Sequence, residues 1–92
     1  MMTPKFNLGQ VVATPGALAA LEEAKQGAAN FLKMHVCGIW GALTMGDQAA
    51  NDRAVKDGSR ILSAYHLDTH VKIWIITEAD RSSTCILLPD EY

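Results

Sequence analysis

Ninety-two residues, 49% of them hydrophobic and 20% charged, supply enough apolar material for one folded core and too little length for a second, so a single domain over 1–92 is expected. A formal net charge of −2, with eight Lys and Arg scattered singly among ten Asp and Glu, argues against direct nucleic-acid binding and is too mild for a nucleic-acid mimic. The apolar runs, such as residues 73–76, are far too short to span a bilayer, and no leader-like segment opens the chain, so a cytoplasmic protein with no membrane partner and with Cys37 and Cys85 reduced is expected.

Residues 6–13 (FNLGQVVA) alternate loosely and predict a first strand, in which Gly9 marks a bulge or a close contact. Thr14-Pro15 then supplies a helix start, an N-cap hydroxyl followed by a residue without a donor to leave unused. The helix runs to about Lys25 with Leu18 and Leu21 inward, and Gln26-Gly27 is expected to end it with glycine in the left-handed conformation. A second helix over 28–36 places Ala28, Phe31, Leu32, His35 and Val36 on one buried stripe.

Residues 37–43 (CGIWGAL) carry two glycines around Ile39 and Trp40 and predict a loop with a large apolar content. Thr44 with Asp47 three residues on resembles a capping box, so a third helix is expected over 45–58, closed by Gly58. From Arg60 the pattern changes to short β-rich runs at 60–66, 71–77 and 84–88. Their connections are too short for parallel crossovers and predict an antiparallel meander. The fold class is therefore α+β: an N-terminal strand, three short helices, then a three-stranded meander, with the first strand on one edge to give four strands and the helices on one face.

Chemistry-bearing constellations are weak. His66 and His70 with Cys37 and Cys85 make a conceivable zinc set, but the histidines flank a turn and neither cysteine has a CxxC partner; no metal or other cofactor is expected. Ser59, Ser63, Ser82 and Ser83 lie in no nucleophile motif, and a Cys37–His35 thiolate pair has nothing else in the sequence to support it, so no catalytic residue is expected. Two features stand out as contact candidates. Trp40 and Trp74 are of the type enriched at binding hot spots, and Trp74 shares a strand face with Lys72, the more exposed one. Glu78, Asp80, Asp90 and Glu91 recur near turns and the end of the chain, where their convergence would make a negative rim; solvated loop acids are the bland alternative.

Three segments carry a resemblance: LGQVVATPGAL (8–18), GSRILSAY (58–65) and KIWIITEADRSSTCILLPDEY (72–92). Through them the chain resembles small proteins of phages, plasmids and other mobile elements, labelled plasmid-related or type I restriction subunit. Members often read GDWGDL where this chain reads Gly38-Ile39-Trp40-Gly41-Ala42-Leu43, so Ile39 and Ala42 replace acids and add apolar surface beside Trp40. As a class, short motif-free proteins from such elements resemble anti-CRISPR proteins. The resemblance implies a non-enzymatic inhibitor of host defence that binds a type I CRISPR-Cas effector subunit, with Ile39, Trp40, Trp74, Glu78, Asp80, Asp90 and Glu91 as the contact candidates; the alternative is an accessory protein of plasmid maintenance or restriction-modification.

Overall fold

In a computed structural model, which describes residues 3–92, the helices begin and end through local capping chemistry. Thr14 is extended and accepts the Ala17 amide on its side-chain oxygen, and Pro15 opens α1 (Pro15–Ala24). Its C-terminus corrects one expectation, because Lys25, not Gly27, takes the left-handed conformation, at φ 55°. The Lys25 and Gln26 amides already reach the Glu22 and Leu21 carbonyls, so the helix end is complete before the glycine; Gly27 is extended and caps α2 (Ala28–Val36) instead. Thr44 accepts the Asp47 amide to start α3 (Met45–Asp57), which closes on Gly58 at φ 81°.

Four strands, β1 (Gln10–Ala13), β2 (Ile61–His66), β3 (Lys72–Thr77) and β4 (Ser83–Leu87), form one sheet in the order β1-β4-β3-β2. The β2-β3-β4 meander is antiparallel, whereas β1 joins β4 in parallel, so the sheet is mixed. Everything between β1 and β4, three helices and the β2–β3 hairpin, acts as the long connection that a parallel pairing needs. β1 is half the predicted length. Gly9, at φ 67°, carries the chain so close to the β3–β4 turn that a Cβ would lie 2.3 Å from the Ser82 carbonyl oxygen. Before it, Phe6 leaves the sheet and packs between His35 and Trp40, with ring centroids 5.2 and 6.2 Å away.

Alternation along the strands divides the sheet into an inner and an outer face. Ile61, Ser63, Tyr65, Ile73, Ile75, Thr77, Thr84 and Ile86 point inward and are buried. Ala17 and Leu21 of α1 and Phe31 of α2 close over the Tyr65, Ile73, Ile75 and Ile86 side chains, while Ala54 of α3 meets Ile61 and Trp40 at the β2 margin. Each fully buried isoleucine contributes roughly 1.5–3 kcal/mol from its removal from water, which makes the inner face the main stabilising layer. The outer face carries Leu62, Ala64, Lys72, Trp74, Ile76, Cys85, Leu87 and Val12, of which Ala64, Ile76 and Leu87 are buried, and the start of α3 borders it at the β2 side. A 3-10 turn at Pro89–Glu91 brings Tyr92 back over it.

The β2 edge is sealed by side chain and loop. Asn51 of α3 donates its side-chain amide to the Leu62 carbonyl and accepts the Leu62 amide, taking the place of a neighbouring strand. Two residues on, the Ala64 amide donates to the Trp40 carbonyl and the Ala42 amide donates to the Ala64 carbonyl. Gly41 makes that approach feasible: it has φ 79°, and a Cβ there would meet the Ala64 oxygen at 2.0 Å.

Candidate functional site

Two places concentrate polar or aromatic side chains, and their accessibility decides between them. Beneath the helices, His35 is fully buried, with Nδ1 2.5 Å from Ser63 Oγ and Nε2 2.9 Å from Thr77 Oγ1. Thr77 Oγ1 lies 2.7 Å from Thr84 Oγ1, which donates to the Leu8 carbonyl at 2.7 Å. One proton per hydroxyl fixes the direction of the whole chain. Thr84 gives its proton to Leu8, Thr77 must give its own to Thr84, His35 donates from Nε2–H to Thr77, and the bare Nδ1 accepts from Ser63. Burial pushes the imidazole down to about 4, which keeps it in the neutral form that this order requires. Both ring nitrogens are thus committed, and His35 has no lone pair left to activate Cys37. Ser63 and Thr77 are likewise completely buried, so no substrate reaches them. Sequence periodicity places His35 inward, but nothing in the sequence singles out Ser63, Thr77 and Thr84 as its partners, because they come from three strands.

On the outer face an open groove of about 450 Å³ runs between the β2–β3 surface and the start of α3. Its floor is Leu62, Ala64 and Trp74; Ala42, Leu43 and Ala50 form the apolar wall, and Lys72, Thr44, Asp47 and Asn51 supply the polar groups. Ala64 lies directly across from Trp74 in the ladder, and so small a partner leaves one side of the indole open. Tyr92 meets the indole edge-on at 5.8 Å. Arg60 holds that phenol, its guanidinium 5.4 Å from the ring centre and donating to the hydroxyl. The groove pairs a half-buried tryptophan with one cation and one anion. That suits the docking of an apolar side chain with polar groups around it.

The residues singled out in the sequence do not all meet here. Trp40 is a correction: only 3% of it is exposed, and its Nε1–H donates to Asp52 Oδ1 at 3.0 Å, so it fills the core and offers no partner contact. Gly38 and Gly41, both at positive φ, turn the loop so that Trp40 points inward while Ala42 and Leu43 reach the groove. Ile39 is 44% exposed, and its carbonyl accepts the Tyr65 hydroxyl. Burial raises that phenol to about 12.

The acids fall into two groups at opposite ends of β4, roughly 17 Å apart for a strand of this length, so no single rim forms. Glu78 and Asp80 lie in the β3–β4 turn, where Asp80 accepts from the amide and hydroxyl of Ser82; those bonds hold its carboxyl below the usual range. Arg81 in the same turn donates to the Ala54, Ser59 and Glu78 carbonyls and lies over Phe6, tying the hairpin to the end of α3. Asp90 and Glu91 lie beside Tyr92. Glu91 accepts from the Thr14 hydroxyl and the Leu88 amide, which lower its carboxyl in that order, and it rests against Gly16 at the start of α1.

Among the described residues, no three His, Cys, Asp or Glu side chains gather in a metal-ligating cluster, so His66, His70, Cys37 and Cys85 do not form one. Burial, and then the charges of Glu91 and Glu78, push the Cys85 thiol up, away from the reactive thiolate. No helix among the described residues is long and apolar enough to cross a membrane. No protein-family model, curated protein or solved structure matches the chain.

Proposed function

We propose that the protein acts by stoichiometric binding and without catalysis, presenting the outer sheet face around Trp74 to a protein partner. The carrying observation is the contrast in accessibility. The hydroxyls and imidazole of the inner chain are sealed and mutually satisfied, whereas the half-buried indole of Trp74 opens onto a groove with apolar walls. A groove of this kind fits an aromatic or aliphatic anchor from a protein surface, with Lys72 and Asp47 setting its orientation.

The partner class follows from the resemblance described above. The protein is a mobile-element inhibitor of host defence that occludes a subunit of a type I CRISPR-Cas effector, blocking target DNA binding or nuclease recruitment. Trp74, Asp90 and Tyr92 form the contact centre in this reading. Glu78 and Asp80 lie outside it, at the far end of β4, and Glu91 serves to hold the C-terminal turn.

The test is a pull-down of purified type I effector by the tagged chain, followed by measured affinities. Retention of the effector, weakened at least about tenfold by Trp74→Ala and little changed by reversal of both Glu78 and Asp80, is the expected result. No retention of any effector would end the inhibitor reading. Capture of a plasmid-maintenance or restriction component in its place would establish the accessory role.

A further inference from the structure

The two edges of the sheet are treated very differently. Asn51 and the 40–42 segment satisfy the outward backbone groups of β2 at Leu62 and Ala64. β1 has no such cover. The Gln10 amide donates to the Ser82 carbonyl and the Thr14 amide to the Ile86 carbonyl, so alternate residues of β1 face β4 and the amides and carbonyls of Val11 and Ala13 point away from the sheet. Among the described residues no backbone hydrogen bond reaches them. Val11 and Val12 are each 43% exposed, on opposite faces of this edge, and Leu18 in the helix that follows, expected to point inward, is instead 55% exposed because Ala17 and Leu21 form the buried stripe of α1.

Charge identifies the occupant. From Phe6 to Leu21 the chain carries no ionisable side chain. The charged groups nearest the edge, Glu91 at Thr14 and Gly16 and the Asp80–Arg81 turn at Gly9, lie at its two ends, so the strand itself offers nothing with which to select a charged partner. For a second copy of the same strand the same absence removes like-charge repulsion, the usual obstacle to symmetric edge pairing. The geometry points to an antiparallel β1–β1 pairing between two copies, which continues the sheet across a two-fold axis to eight strands.

The register follows from which groups point outward. Pairing Val11 with the other copy's Ala13, and Ala13 with its Val11, makes four backbone hydrogen bonds and sets the two Val12 residues opposite each other on the axis, as a non-hydrogen-bonded pair. An axis perpendicular to the sheet keeps the inner faces on the same side, so the two α1 helices flank it and bring their Leu18 residues toward each other. Four residues of strand bury less than a standard interface, so the association is weak and depends on concentration.

Sedimentation equilibrium of the full chain over a wide concentration range tests this, together with cysteine cross-linking in a Cys37→Ser, Cys85→Ser background. The expected results are a dimer fraction that rises with concentration, and a disulfide-linked dimer from Val12→Cys but not from Val11→Cys, since only position 12 faces itself across the axis. Val11→Pro removes an amide that the monomer does not use, and it is expected to leave the circular dichroism spectrum unchanged while weakening the dimer more than about tenfold. Val12→Lys should do the same by placing like charges in contact. A chain that stays monomeric at all concentrations, or a dimer indifferent to Val11→Pro and Val12→Lys, overturns the proposal. So does a monomer whose capture of a foreign protein is lost with Val11→Pro, which would assign the edge to a partner's strand.

Discussion

The two faces of one sheet differ in how completely their side chains are covered: the inner face buries isoleucines and a set of paired polar groups, while the outer face leaves some of its apolar groups partly exposed. The inner face, shut under α1 and α2, holds an imidazole and three hydroxyls; the outer face, partly open to water, holds Trp74, Leu62, Ala64 and Val12. The polar groups are buried because each has a partner, and a closed chain of hydrogen bonds running from Ser63 to the Leu8 carbonyl removes most of the cost of burial. Outside, Ala64, Ile76 and Leu87 are buried, but Trp74, Leu62 and Val12 stay partly exposed. Buried polarity here specifies which strands and helix pack together, while exposed apolarity is the capacity for contact, and separate substitutions should be able to damage one without the other.

The largest effect is expected from His35→Leu. It leaves the Ser63 hydroxyl without its acceptor and Thr77 without its donor in a sealed interior, and urea unfolding should show a loss on the order of 3–5 kcal/mol, with no specific change at the outer groove. A loss below about 1 kcal/mol would mean that the chain of hydrogen bonds contributes little to stability.

A pH titration of stability sharpens the same point. The folded imidazole is depressed from 6.5 to about 4, so between those values the unfolded state binds more protons and stability falls as pH falls. The contribution is fully present above about pH 6.5 and should be reduced by roughly 3 kcal/mol near pH 4, a loss absent from His35→Leu when the two unfolding curves are subtracted. The carboxylates of Asp80 and Glu91, held below their ordinary values by hydrogen bonds, lose their contributions only at more acid pH, as protonation runs down through the carboxylate range.

The sealed edge comes next. Asn51→Ala removes both hydrogen bonds to the Leu62 backbone and is expected to cost about 2 kcal/mol, with faster hydrogen exchange at the Leu62 amide as the local readout. Trp74→Ala should have the smallest effect on stability, about 1 kcal/mol or slightly more because the indole is only half-buried, yet the largest effect on partner binding. A Trp74 variant that unfolds while binding survives in a less disruptive substitution, Trp74→Phe or Trp74→Leu, would reverse the roles of the two faces.

Much of this architecture is legible along the chain. Thr14-Pro15, Thr44 with Asp47, and Gly58 mark helix ends through interactions three or four residues long, and those ends are where the sequence places them. The alternation Ile73, Ile75, Thr77 against Lys72, Trp74, Ile76 divides β3 correctly into faces, because side-chain direction in a strand follows parity alone. Gly27 and the first half of the predicted N-terminal strand were misleading for different reasons, one local and one distant. Lys25 completes the helix end first, and the approach to Ser82 turns the chain at Gly9.

The candidate site was legible only in its central residue. Trp74 can be read from its strand, but the absence of cover beside it comes from Ala64 on another strand and from Ala42 and Leu43, which a glycine-hinged loop delivers while sending Trp40 inward. The separation of the acids, by contrast, is legible: the predicted strand over 84–88 lies between Asp80 and Glu91 and holds them at its two ends.

By itself, then, the sequence determined the fold class, the order of the elements, the starts of α1 and α3, the Gly58 cap and the parity of the strands, all of which depend on interactions between near neighbours. Tertiary structure alone decided the parallel seat of β1, the direction of the His35 hydrogen-bond chain, the sealing of one sheet edge and the openness of the other. These features join segments as far apart as Leu8 and Thr84, or leave them unjoined, and no local pattern records how such distant segments meet.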